Sequence, residues 1–105
     1  MARHDEDVAI AAVSNARAQA LRALLTEGEL EMLAHAERLS NQELAVFVML
    51  GQGLKPKAIA YELAIGAKTV DTHIHRIRAK LCHERPLPLT DLLFLARMWV
   101  RAGNL

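Results

Sequence analysis

A chain of 105 residues that is 52% apolar but only 4% aromatic, with three prolines and five glycines, suits one small all-α domain with an aliphatic core. Its single cysteine, Cys82, excludes an internal disulfide and fits a reducing cytoplasm. The charged start MARHDEDV excludes a secretory signal, and the central apolar run 44–50 is too short to span a bilayer, so a cytoplasmic protein without membrane contact is expected.

The net charge of +1 hides an asymmetry: residues 1–38 hold four Arg against seven Asp/Glu, a net −3, and residues 39–105 hold nine Lys/Arg against five Asp/Glu, a net +4. An acidic and a basic half point to different partners. Residues 1–7 are charged and expected to fray. Residues 8–25, VAIAAVSNARAQALRALL, are rich in strong helix formers. Ile10, Val13, Ala20, Leu21 and Leu24 form the apolar side of this predicted helix, opposite Asn15, Gln19 and Arg22. That side either packs on the chain's own core or helps form a dimer. Thr26 and Glu29 then make a capping box for a second segment whose apolar side is Leu30, Leu33 and Ala34. Residues 1–38 therefore read as an extension of two short helices, or of one helix bent near Gly28. The extension is too short for a receiver or ligand-binding domain, and no small-molecule domain is evident.

Ser40 and Glu43 form a second capping box. The helix it opens carries Leu44, Phe47, Val48 and Met49, stops at Gly51-Gln52-Gly53, and reads as a buried scaffold. A short helix follows over 57–63, with Ile59, Ala60 and Leu63 at helical spacing. Pro56 suits its first turn. Ala64-Ile65-Gly66 is the turn, with Gly66 as the residue tolerant of unusual φ/ψ. From Ala67 the period resumes, and Val70, Ile74, Ile77 and Leu81 make one apolar stripe. Lys68, Asp71, Thr72, His75, Arg76 and Ala79 lie opposite. Two helices, a tight turn and a polar outer face make a helix-turn-helix, whose second helix enters the major groove.

After Leu81, CHERPLPLT reads as a stiff, extended connector. Thr90 is the expected cap of a last helix over 91–102. Leu92, Leu93, Phe94, Leu95, Met98, Trp99 and Val100 surround that helix almost entirely, broken only by Arg97 and Arg101. Such a helix needs cover, from the extension or from a second subunit.

Leu39-Ser40, Glu43, Gly53-Leu54, Lys57, Ile59-Ala60, Leu63, Ile65, Thr69-Val70, His73, Ile77 and Lys80-Leu81 resemble, without a gap, the signature of the LuxR/FixJ-type (GerE-like) helix-turn-helix family. The resemblance implies a four-helix DNA-binding domain over 39–105, usually dimeric and usually part of a transcription regulator, here behind a helical extension over 1–38. It implies base contacts from Asp71, Thr72 and His75, beside which Arg76 projects on the same face. Lys55, Lys57, Lys68, Thr69 and Lys80 are the expected phosphate contacts; for Lys80, as for Arg78, a solvated helix flank is an equal reading. It also places a dimer contact on the last helix, which presents Leu92, Leu93, Leu95, Met98 and Trp99; the N-terminal helix, with Ile10, Val13, Leu21 and Leu24, is expected to pack nearby and enlarge that contact. His73 is structural by the same resemblance. Three places depart from the family: Lys55-Pro56 replaces a hydroxyl or amide pair, Asp71 stands where lysine is common, and CHERPLPLT follows Leu81 where a Gly-Val turn is usual. An aspartate repels phosphate but accepts a hydrogen bond from cytosine N4.

His73, His75, Cys82 and His83 suggest a metal only superficially. His73 and His75 point about 200° apart on a helix, and Cys82-His83 are adjacent, poor geometry for tetrahedral zinc. No metal or cofactor is expected. No nucleophile–base arrangement, phosphate loop or carboxylate pair is present, so an enzyme is not expected. The reading is a small transcription regulator that binds duplex DNA as a homodimer. The alternative is a repurposed helix-turn-helix that binds another regulator or RNA polymerase through its apolar helices.

Overall fold

The computed structural model describes residue 16 and residues 19–103. The expectations for residues 1–7, and for Ile10 and Val13, lie outside the described residues. Among the described residues the chain is all-α. Residues 19–24 are helical, followed by α1 (Glu27–Ala34), a 3-10 turn (His35–Arg38), α2 (Asn41–Gly51), α3 (Pro56–Leu63), α4 (Ala67–Leu81) and α5 (Leu89–Gly103). No helix among the described residues is long and apolar enough to cross a membrane.

The extension breaks at Thr26 and does not bend at Gly28. Thr26 is extended and caps α1, its Oγ1 accepting from the Glu29 N–H at 3.2 Å while the Glu29 carboxylate accepts from the Thr26 N–H at 2.8 Å. Gly28 lies inside α1. Just before the break the apolar pair is Leu21 with Leu25, both buried, while Leu24 is 55% exposed, contrary to the expected stripe. The helical residues end at 24, and Leu25 turns inward from the last turn, its N–H donating to the Leu21 carbonyl at 2.8 Å. In α1, Leu33 is buried and Ala34 exposed. The tightening into a 3-10 turn brings Ala36 to the core instead.

Helix α2 is the scaffold, with α4 and α5 packed against it. Its stripe of Glu43, Val46, Phe47 and Leu50 is buried, and a fully buried aliphatic or aromatic side chain stabilises by roughly 1.5–3 kcal/mol. Where α2 ends, its backbone touches α5. A Cβ on Gly51 would stand 2.3 Å from the Ala96 carbonyl oxygen, so only glycine permits this approach.

Helix α5 begins earlier than expected, at Leu89. The Leu92 N–H already donates to the Pro88 carbonyl at 2.9 Å, which puts Thr90 in the first turn and not at the cap. Its inner side, Leu92, Leu95, Ala96, Met98 and Ala102, is buried within the chain, so the helix finds most of its cover without a second subunit. Of the residues expected at a dimer contact, Leu21, Leu92, Leu95 and Met98 are buried and Trp99 is half-buried against Phe47, with ring centroids 6.3 Å apart. Leu24 and Leu93 keep exposed surface.

Candidate nucleic-acid interface

The helix-turn-helix is α3, the turn and α4. Lys55 is the extended residue before α3 and offers no side-chain cap, and Pro56 takes the first helical position. The turn is made at Ala64, whose φ of 55° and ψ of 44° are left-handed, with the Ile65 N–H closing on the Ala60 carbonyl at 3.0 Å. Gly66, the expected special residue, has an ordinary extended backbone and precedes α4 with no side chain to cap it. A Cβ there would meet nothing nearer than Thr69 Oγ1 at 3.9 Å. The left-handed step falls on alanine because the turn needs it directly after Leu63, the last residue of α3.

Helix α4 has two distinct faces. Val70, His73, Ile74, Ile77 and Leu81 are buried, whereas Lys68, Thr69, Asp71, Thr72, His75, Arg76 and Ala79 are exposed. The outer row thus holds all four expected base-reading residues, and Lys55 and Lys57 are exposed at the start of α3. Thr72 Oγ1 donates to the Lys68 carbonyl of its own helix at 3.0 Å, which leaves its lone pairs and its methyl for a ligand. Asp71, His75 and Arg76 make no hydrogen bond or ion pair among the described residues.

The inner face is tied down by polar contacts as well as apolar ones. His73 Nε2 donates to Gln42 Oε1 of α2 at 3.1 Å. Lys80 Nζ donates to Glu43 Oε1, which also accepts from the Ser40 N–H at 2.9 Å. Glu43 is only 3% exposed and Lys80 39%. Burial alone would raise the Glu43 carboxyl, but the bonds from Lys80 and Ser40 outweigh it and hold the group below the usual carboxylate range. Reading Ser40-x-x-Glu43 only as a cap misses this link. The available signal was the spacing: Glu43, Val46, Phe47 and Leu50 fall on one helical stripe, so the carboxylate is carried into the core. Arg78 also turns inward. Its Nε donates to the Leu87 carbonyl while the Leu87 N–H donates to the Arg78 carbonyl at 3.1 Å, a two-point clamp between the connector and α4.

At the far end of α4 the extension joins the unit. His35 Nδ1 donates to the Leu81 carbonyl at 3.3 Å, and Arg38 Nη1 donates to His83 Nε2 at 2.8 Å. The candidate metal residues are not assembled: His73 is buried, His75 is exposed on the outer face, and His83 is engaged by Arg38. Among the described residues no group of three or more His, Cys, Asp or Glu is placed to hold an ion.

No curated protein and no solved structure matches the chain. A family model does match, that of the bacterial regulatory proteins of the luxR family, over residues 37–86, from the end of the 3-10 turn through α4 into the connector. Residues 37–86 of this chain therefore belong to the LuxR family and form its helix-turn-helix DNA-binding domain.

Proposed function

We propose that the protein is a sequence-specific transcription regulator that lays α4 in the major groove of duplex DNA. The observation that carries this reading is the outer row of α4, whose Asp71, His75 and Arg76 are exposed and unpaired on a helix otherwise fixed to the core. Lys55, Lys57, Lys68 and Thr69 flank that row and act on phosphates. Asp71, Thr72, His75 and Arg76 act on base edges. Thr72 offers its methyl to a thymine methyl, because its hydroxyl proton is engaged. Lys80 serves the fold through Glu43.

A homodimer belongs to this reading, since two recognition helices about a two-fold axis address half-sites about one DNA turn apart. With most of the inner α5 residues buried in the subunit, Leu24, which is 55% exposed, is the residue of the extension that keeps free surface for pairing among the described residues. The competing reading, an interaction protein that has lost DNA, is supported by Asp71 on the groove face.

Duplex titrations at several salt concentrations decide between them. Lys57→Ala and Lys68→Ala should weaken binding to every sequence and lower the salt slope by about one unit each. His75→Ala should cost ~1–3 kcal/mol on the preferred site and less on random DNA. An absence of salt-dependent DNA binding selects the interaction protein.

A further inference from the structure

A cleft of about 700 Å³ opens between the recognition helix, α5 and the α2–α3 junction, a volume within the range of small-molecule sites. Its apolar lining includes Leu54, Ile74, Leu89, Leu93 and Phe94. The large apolar side chains that stand exposed among the described residues are Leu24, Tyr61, Leu89, Leu93 and Phe94, and three of these five meet in this one cleft. Apolar exposure gathered in this way marks a binding surface, whereas single exposed residues do not. The charged lining residues are Lys55, Arg78 and Arg97 and a single carboxylate, Asp71. Lys55 and Arg97 have no ion-pair partner among the described residues. Arg78 is pinned by its bond to the Leu87 carbonyl but keeps its charge.

From this combination we propose that the cleft binds a small amphipathic carboxylate, its hydrocarbon part on Leu89, Leu93 and Phe94 and its head group at Arg97 and Lys55. An apolar lining selects a hydrocarbon tail, an excess of cations selects an anionic head, and a guanidinium accepts a carboxylate in bidentate geometry. The opposing Asp71 favours a monoanion over a multiply charged phosphate. Asp71 and His75 line the cleft and also belong to the outer row of α4. An occupant therefore competes with DNA for that edge of the recognition helix. This second statement rests on the DNA-binding reading above; the site itself does not.

The probe is decanoate, with decanol as the neutral control of equal tail length. Titration into the full chain, followed by calorimetry and by backbone NMR shifts, should give one saturable site centred on Gly53, Leu89, Leu93 and Phe94. Decanol should bind at least tenfold more weakly. Arg97→Gln should bring decanoate down to the affinity of decanol, and Leu93→Gln should weaken both. Shifts that scatter over the surface, equal affinity for the two probes, or indifference to Arg97→Gln would overturn the site. So would a cleft closed by a second copy that excludes decanoate, or binding seen only when the anion is part of a vesicle. On DNA, saturating decanoate should raise the apparent Kd for duplex at least threefold in the wild type and leave Arg97→Gln unchanged. An unaltered Kd in the wild type overturns the competition. A chain that binds no DNA at all overturns the DNA reading instead, while the NMR titration still decides the site.

Discussion

Thr26 and Ser40 open their helices with the same device. Each hydroxyl accepts from the N–H three residues on, and each partner glutamate, Glu29 or Glu43, accepts from the cap's own N–H. Locally the two boxes are interchangeable. Globally they are not. Among the described residues Glu29 bonds only to Thr26, near the surface. Glu43 is buried and takes a second donor, Lys80, from the recognition helix. The first box starts a helix. The second also fixes where α4 lies on α2, because one carboxylate oxygen is shared between the cap and the ion pair. A motif of four residues thus sets a helix start, and the stripe on which its last residue falls decides whether it reaches another element.

That difference predicts very unequal substitution effects. Glu43→Ala removes the cap's acceptor and the Lys80 bond together, and leaves the Ser40 N–H without its acceptor. The expected loss is about 3 kcal/mol, near 15 °C in midpoint by the usual scaling for a small domain. Thermal unfolding by circular dichroism measures it, and a loss no larger than that of Glu29→Ala would make the two boxes equivalent. The pH dependence isolates the charge. The folded Glu43 carboxyl titrates below its ordinary value, so its stabilisation is present above the unfolded pKa and disappears as pH falls through the folded one. The gap in midpoint between wild type and Glu43→Gln should therefore be widest near neutrality and narrow below about pH 4, since an unperturbed glutamate titrates near 4.3. A gap that holds constant with pH would assign the effect to packing.

Lys80 tests the same link from the other side. As a phosphate contact it would contribute to the salt slope of DNA binding. As the partner of Glu43 it contributes to stability. Lys80→Met should lower stability by about 1–2 kcal/mol, discounted from a buried pair because the lysine is 39% exposed. The salt slope should change less than it does for Lys57→Ala or Lys68→Ala. A full unit lost from the slope with no loss of stability would return Lys80 to the DNA.

The parts of this fold that could be read in advance are those set by neighbours along the chain. Both capping boxes, the apolar stripe from Val70 to Leu81 and the outer row opposite it depend on residues within a few turns, and the structure places them as their spacing implies. What depended on packing was not legible. The left-handed residue of the turn is Ala64 and not Gly66 two residues on, because α3 ends one residue before Ala64. The apolar excess of α5 did not say what covers it; α2, which approaches closely at Gly51, covers the inner side, while Leu89, Leu93 and Phe94 stay exposed. Within the candidate interface, the face to which Asp71, Thr72, His75 and Arg76 belong followed from periodicity. The inward turn of Lys80 and Arg78 did not, since long cationic side chains reach either way from a helix flank.

The smallest expected effect is at the first box. Thr26→Ala deletes one hydroxyl acceptor at an exposed helix start, so one α1 N–H returns to water, and water replaces the bond at little cost. Typical N-cap losses are ~0.5–2 kcal/mol, and an exposed site falls at the lower end. About 0.5–1 kcal/mol is expected, a midpoint shift of a few degrees. Because Glu29 reaches no other helix among the described residues, the substitution should leave the affinity and salt slope of the wild type on duplex DNA intact. The matching change at the second box, Ser40→Ala, perturbs the carboxylate that also holds Lys80, and should weaken DNA binding along with stability. If Thr26→Ala lowered DNA affinity as much as Ser40→Ala does, the start of α1 would be coupled to α4 through the His35–Leu81 and Arg38–His83 bonds, and the two boxes would differ in route but not in consequence.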